Sequence, residues 1–144
     1  METRTPTYQE MQALAAFLPR LYAEGFEPVI WWNGGDRGQG GVIQLPWPEY
    51  HPLVEEFYRL VASECWLDYG YRPEEAAGMI RDEEFVRSAS LVQIKSMLTF
   101  CLRGERFSDG HWAEMIEGGY IRKLLERINH LSLDAGHRGD PEED

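Results

Sequence analysis

The chain has 144 residues, 43% of them hydrophobic and 12% aromatic, and a formal net charge of −11. That length leaves room for one domain with a real core and little room for two, and the composition is that of a folded chain. The acidity sets up a field that repels polyanions, so direct binding to nucleic acid is not expected.

Thr7-x-x-Glu10 ahead of Met11, Leu14, Ala15, Leu18 and Leu21 is a capping box opening an amphipathic helix. Pro19 interrupts that helix, because it lacks an amide donor and clashes one turn back; Gly25 is the stop. Phe26 to Trp32 and Gly41 to Leu45 are rich in strand formers and flank the glycine-rich Asn33 to Gly40. Together they predict a β-hairpin with a long connection, its second strand ended by Pro46 and Pro48. From Pro52, the positions Val54, Phe57, Tyr58, Val61 and Cys65 give one apolar helix face.

An aromatic loop from Trp66 to Pro73 follows. Pro73 with Glu74 and Glu75 then suits a helix N-terminus, predicting a short helix to Ile80. Asp82 to Arg87 predicts another helical turn or two. Ser90-x-x-Gln93 is a second capping box, opening a helix faced by Leu91, Ile94, Leu98, Cys101 and Leu102. Phe107 and Trp112 bracket Ser108 as a hydrophobic staple would, so Phe107 is expected to be buried against Trp112. Arg106 is expected to pair with Glu114 or Glu117, or with helix-end carbonyls. Trp112, Met115 and Ile116 face inward until Gly118-Gly119, and Ile121, Leu124, Leu125, Ile128 and Leu131 define a last amphipathic helix.

The fold class expected is α+β: a mostly helical single domain over residues 1–133, with an N-terminal two-stranded β-hairpin packed on a helical layer. Five to six helices are expected, the last two joined at Gly118-Gly119. Residues 134–144 hold five acids and one arginine, and read as an acidic, disordered tail. No apolar run is long enough to span a bilayer, and the N-terminus lacks a basic-then-apolar leader, so a cytoplasmic location is expected. Cys65 and Cys101 form no C-x-x-C and sit among apolar residues, reading as core side chains.

The densest mix of charge, glycine and aromatic residues lies in the C-terminal third. Leu98-Thr99 leads through Arg103 to Glu105-Arg106-Phe107 and Gly110, followed by Glu117-Gly118 and Leu124-Leu125-x-Arg127. With Ala16-Phe17-Leu18-Pro19 and Val42-Ile43-Gln44-Leu45-Pro46, these residues resemble the bacterial family catalogued as domain of unknown function 6508. The resemblance covers most of residues 10–132. It implies a fold but no known activity, so no catalytic residue is carried over.

Arg106, Asp109, His111, Glu114 and Glu117 form the sharpest local constellation. His111 and Glu114 are three apart on a predicted helix and share a face, as metal ligands do; His51 and Glu55 could supply a second pair. A closed metal site needs three or four convergent ligands. Capping by Ser108 or Asp109, with Gly110 relieving the turn, explains the same residues without a metal, so no metal or cofactor is expected. The glycine loop lacks a P-loop ending and Arg37 is its only cation, so a hairpin tip is the simpler reading. Adjacent Trp31 and Trp32 on a strand point to opposite faces, so at least one can leave the core beside Trp47. Most of Trp31, Trp32, Trp47 and Tyr50 are nonetheless expected to pack against helices.

No nucleophile elbow is present, no cysteine sits beside a predicted base, and Gly118-Gly119 is too short for a helix-turn-helix. The function expected is a non-enzymatic protein-interaction module, in a specific form an acidic inhibitor of a nucleic-acid-binding protein acting through Glu49 to Arg87. Its binding residues would be Trp31, Trp32, Arg37, Trp47, Arg106, His111 and Glu114. Self-association into a homodimer is another use of an exposed aromatic flank. The alternative is a small hydrolase or ligand- or metal-binding enzyme centred on His111, Glu114 and Arg106.

Overall fold

The computed structural model describes residues 4–32 and 46–137, with side chains to residue 134. Among the described residues it is a mostly helical α+β domain with one two-stranded antiparallel sheet. Helix α1 spans Tyr8–Ala15, with both arms of its capping box formed: Glu10 N donates to Thr7 Oγ1 at 3.1 Å, and Thr7 N to Glu10 Oε1 at 2.8 Å. Pro19 acts as its missing amide requires. The helix breaks at Ala16, and α2 restarts over Phe17–Leu21. Gly25 ends the segment at φ 82°, a conformation open to glycine.

Strand β1 (Val29–Trp32) pairs antiparallel with β2 (Trp47–Tyr50), Val29 opposite Tyr50 and Trp32 opposite Trp47. This corrects the expected strand end, because Pro48 lies inside β2 rather than closing it. The His51 amide donates to the Pro28 carbonyl at 2.9 Å, and antiparallel pairs alternate between bonded and non-bonded. That alternation puts the Trp31–Pro48 pair at a non-bonded position, where the absent N–H costs nothing on an edge strand. The expected strand Gly41 to Leu45 and the loop carrying Arg37 lie outside the described residues.

Helix α3 (Pro52–Val61) is capped by His51, whose Nδ1 accepts from Leu53 N at 3.0 Å. Helix α4 is Pro73–Ile80, and α5 is Glu83–Arg87 with Asp82 as its cap. Helix α6 (Leu91–Arg103) opens with the Ser90/Gln93 box and runs into a 3-10 turn, Gly104–Arg106. Helix α7 is His111–Glu117, and α8 is Tyr120–His137.

Eight α-helices are therefore present among the described residues, more than the five to six expected. The two extra ones are α2, the restarted half of the helix that Pro19 interrupts, and α5, expected as a helical turn or two. Helix α8 continues through His137, into the stretch expected to be a tail; residues 138–144 lie outside the described residues.

Helix α8 is the spine. Its Ile121, Leu124, Leu125 and Ile128 are fully buried, and α1, α2, α5, α6 and α7 all pack on it. The Tyr22 hydroxyl donates to Ile116 O at 2.6 Å and accepts from Arg122 N at 3.0 Å, so one α2–β1 side chain serves two helix ends across the α7–α8 joint. Burial pushes the Tyr22 phenol above its ordinary range and keeps it protonated. Cys65 and Cys101 are free, buried thiols, both raised in pKa chiefly by desolvation.

Candidate functional site

Helix α7 begins at Gly110, in the left-handed region at φ 91°, with no side chain of its own neighbourhood capping it. Its cap comes from the preceding 3-10 turn. Glu105 accepts from Gly110 N at 3.0 Å and from Trp112 N at 2.8 Å, filling two orphan donors at the positive end of the helix. The same carboxylate lies 2.8 Å, at both oxygens, from the Tyr50 hydroxyl of β2. Desolvation, then the Glu105 carboxylate, raises the Tyr50 phenol, so Tyr50 stays a donor. Ser108 and Asp109, the caps expected from sequence, are exposed instead.

Glu105 thus fastens the β-ribbon to the helical layer, and the ribbon completes the fastening with its rings. Tyr50 contacts Trp112 at 5.2 Å between ring centroids, and Trp112 stacks on buried Tyr58 at 4.5 Å. Trp112 Nε1 donates to Leu102 O at 2.9 Å. Trp31 lies over Gly110 so closely that a Cβ there would sit 2.5 Å from its ring. Gly110 is required twice, for its positive φ and for that approach.

Strand alternation now separates two faces. Val29, Trp31, Pro48 and Tyr50 share the face that meets Glu105 and Gly110; Ile30, Trp32, Trp47 and Glu49 share the other. On that second face Ile30 is 51% exposed, Trp32 47% and Trp47 45%. Trp32 Nε1 donates to Glu49 Oε1 at 2.6 Å, fixing an acid among the indoles. The expected packing against helices is therefore found for Trp31, over Gly110, and not for Trp32 or Trp47. Even Trp31, the one turned inward, is 48% exposed.

His111 is buried at the start of α7, its ring edge-on to Phe100 at 5.3 Å. Burial lowers its pKa, outweighing the nearby Glu114 and Glu105 charges and the Phe100 carbonyl, so the imidazole is neutral at pH 7. Its Nε2 has no hydrogen-bond partner among the described residues and abuts Gly104, where a Cβ would come within 2.3 Å of it. Glu114, by contrast, is exposed. His51 is occupied as a helix cap, and Glu55 is exposed. Among the described residues no three His, Cys, Asp or Glu side chains are grouped to hold a metal ion.

Two expectations about the motif are overturned. Phe107 is 84% exposed and is not stapled to Trp112, whose ring is taken by Tyr58 and Tyr50. Arg106 is exposed and, among the described residues, bonds neither Glu114, Glu117 nor a helix-end carbonyl. For Phe107 the reason is register: the cap of α7 is Gly110, two residues beyond Ser108, so Phe107 and Trp112 do not hold the N′ and N4 positions a staple needs. Sequence reading missed Glu105 as the acid that caps α7 and anchors the ribbon; its signal was a carboxylate five residues ahead of a glycine that opens an uncapped helix. Arg37 lies outside the described residues.

The model of the family of unknown function DUF6508 matches residues 6–134. No curated protein and no solved structure matches the chain.

Proposed function

The chain belongs to family DUF6508, and we propose that it is a non-enzymatic, cytoplasmic protein-interaction module that binds its partner through the outer face of the β-ribbon. One observation carries this reading: Ile30, Trp32 and Trp47 stand about half exposed on a ribbon whose opposite face is anchored by Glu105. Clustered tryptophans are the side chains that dominate binding energy when a partner desolvates them. Their placement on an anchored ribbon also lowers the entropy cost of binding.

In its more specific form the partner is a nucleic-acid-binding protein, held by its basic surface. Glu55, Glu56, Glu64, Glu74, Glu75, Asp82, Glu83 and Glu84 are all exposed along α3 to α5, which supports that form. The hydrolase reading has less behind it, since His111 faces inward while Glu114 and Arg106 face out. No helix among the described residues is long and apolar enough to cross a membrane.

Affinity capture from a native lysate at low salt tests the proposal, comparing the wild type with Trp32→Ala/Trp47→Ala. A defined protein retained by the wild type and lost by the variant is expected. Recovery of no partner at low salt, or equal recovery by both, overturns it.

A further inference from the structure

Resting on that reading of the ribbon, we propose that its outer face recognises a protein segment presenting an arginine beside an apolar side chain. Three features of the face select this chemistry. The first is the pair of indoles. Trp32 and Trp47 are direct cross-strand partners, exposed by 47% and 45%, and an indole face is the best aromatic surface for a cation. The second is an acid held in place between strands. Trp32 Nε1 occupies Oε1 of Glu49, so that among the described residues Oε2 and the remaining lone pairs face an incoming donor.

The third feature is the groove alongside. Phe26, Ile30 and Pro52 give it apolar walls, while Glu27 and Glu49 add two carboxylates. No lysine or arginine lines it among the described residues. An apolar side chain fits the walls, and a neighbouring cation meets two carboxylates; His51, which also lines the groove, is turned to cap α3 through Nδ1. The whole chain adds to this attraction with its net charge of −11. Arginine is favoured over lysine because its planar guanidinium stacks on an indole and forks onto a carboxylate at once. A surface built for a purely apolar partner would not place an oriented carboxylate beside its tryptophans. A second copy of the chain would bring a like-charged acidic groove to meet this one.

Short peptides alternating arginine and leucine, titrated into the full chain and followed by the NMR signals of the tryptophan indole N–H groups, test the proposal. Saturable shifts at Trp32 and Trp47 are expected, strongest with arginine, weaker with lysine and absent with glutamine in its place. Glu49→Gln should weaken arginine-peptide binding by about tenfold, equivalent to about 1.4 kcal/mol. Glu74→Gln/Glu75→Gln, which removes two acids on α4, should leave it unchanged. Unaltered signal dispersion in Glu49→Gln verifies its fold, and Glu27→Gln provides a second variant from the same groove.

Equal binding of arginine and glutamine peptides, no binding of either, or no effect of both groove variants overturns the proposal. So does an equal loss on removing the α4 acids, which would mark unspecific charge attraction. If a lysate partner is captured through Trp32 and Trp47 without any arginine preference, the interaction reading stands and this inference alone falls. Capture that ignores those tryptophans defeats the interaction reading itself.

Discussion

The Tyr50 hydroxyl lies 2.8 Å from both carboxylate oxygens of Glu105, joining β2 to the turn that caps α7. Because the same carboxylate accepts from Gly110 N and Trp112 N, ribbon docking and helix capping share one group. Glu105→Gln keeps the size but gives up the charge and turns a donor amide toward donors. Bonds to charged acceptors are worth about 1.5–3 kcal/mol each, so a loss of about 2–3 kcal/mol in urea unfolding is expected. Tyr50→Phe, which removes one such bond, should cost about 1.5–3 kcal/mol. Hydrogen exchange should rise first at the β2 amides in both variants; unchanged protection there would refute the shared anchor.

Phe107 and Trp112 should behave oppositely on truncation. Phe107 is 84% exposed, and Phe107→Ala should change stability by no more than about 0.5 kcal/mol. Trp112 stacks on Tyr58 at 4.5 Å and donates to the Leu102 carbonyl, so Trp112→Ala should cost about 3–5 kcal/mol. Melting curves of the two variants decide this, and a large loss at Phe107 would contradict the described turn.

Gly110 and Gly119 both have positive φ, at 91° and 86°, but only Gly110 has a ring pressed on it. Gly119→Ala should cost about 1–2 kcal/mol from backbone strain alone. Gly110→Ala should cost more, because Trp31 must also move. In a double-mutant cycle, Trp31→Ala should recover that excess and leave the strain term. An additive cycle would show that Trp31 does not rest on Gly110.

His111 should make stability pH-dependent. Its folded pKa is lowered by burial, so the unfolded chain binds the proton more readily. Stability contributed by the neutral imidazole is present above the unfolded value of about 6.5 and is lost as pH falls below it. Urea midpoints between pH 7.5 and pH 5 should fall for the wild type. His111→Leu should flatten that part of the slope; an identical slope in the variant would assign it elsewhere.

Glu10 gives a second pH window. The bonds from Arg4, then from Thr7, hold its carboxyl down at about 2 from its ordinary 4.5. Its contribution is therefore complete above about pH 4.5 and fades as pH falls toward about 2. The pair is partly exposed, so solvent screening keeps the effect small. Acid titration of Glu10→Gln against wild type should converge at low pH; a gap that persists at pH 2 would rule out the linkage.

The sequence by itself determined the elements whose causes lie within one or two helical turns. The Thr7/Glu10 and Ser90/Gln93 boxes, the break caused by Pro19, the stop at Gly25 and the buried stripe of α8 follow from local bonds and periodicity. The family was legible for the same reason, because its motif spacing is local. Tertiary structure alone decided the site. Tyr50 meets Glu105 across 55 residues of chain, and Trp31 meets Gly110 across a longer span still. Phe107 was misread because a staple and an outward-facing turn share one local pattern. What separates them is where the helix starts: it is capped at Gly110 rather than Ser108, with Glu105 accepting from its amides while docked against a distant strand. Pro48 was misread as a strand end because its cost depends on the register of its partner, which no local stretch encodes.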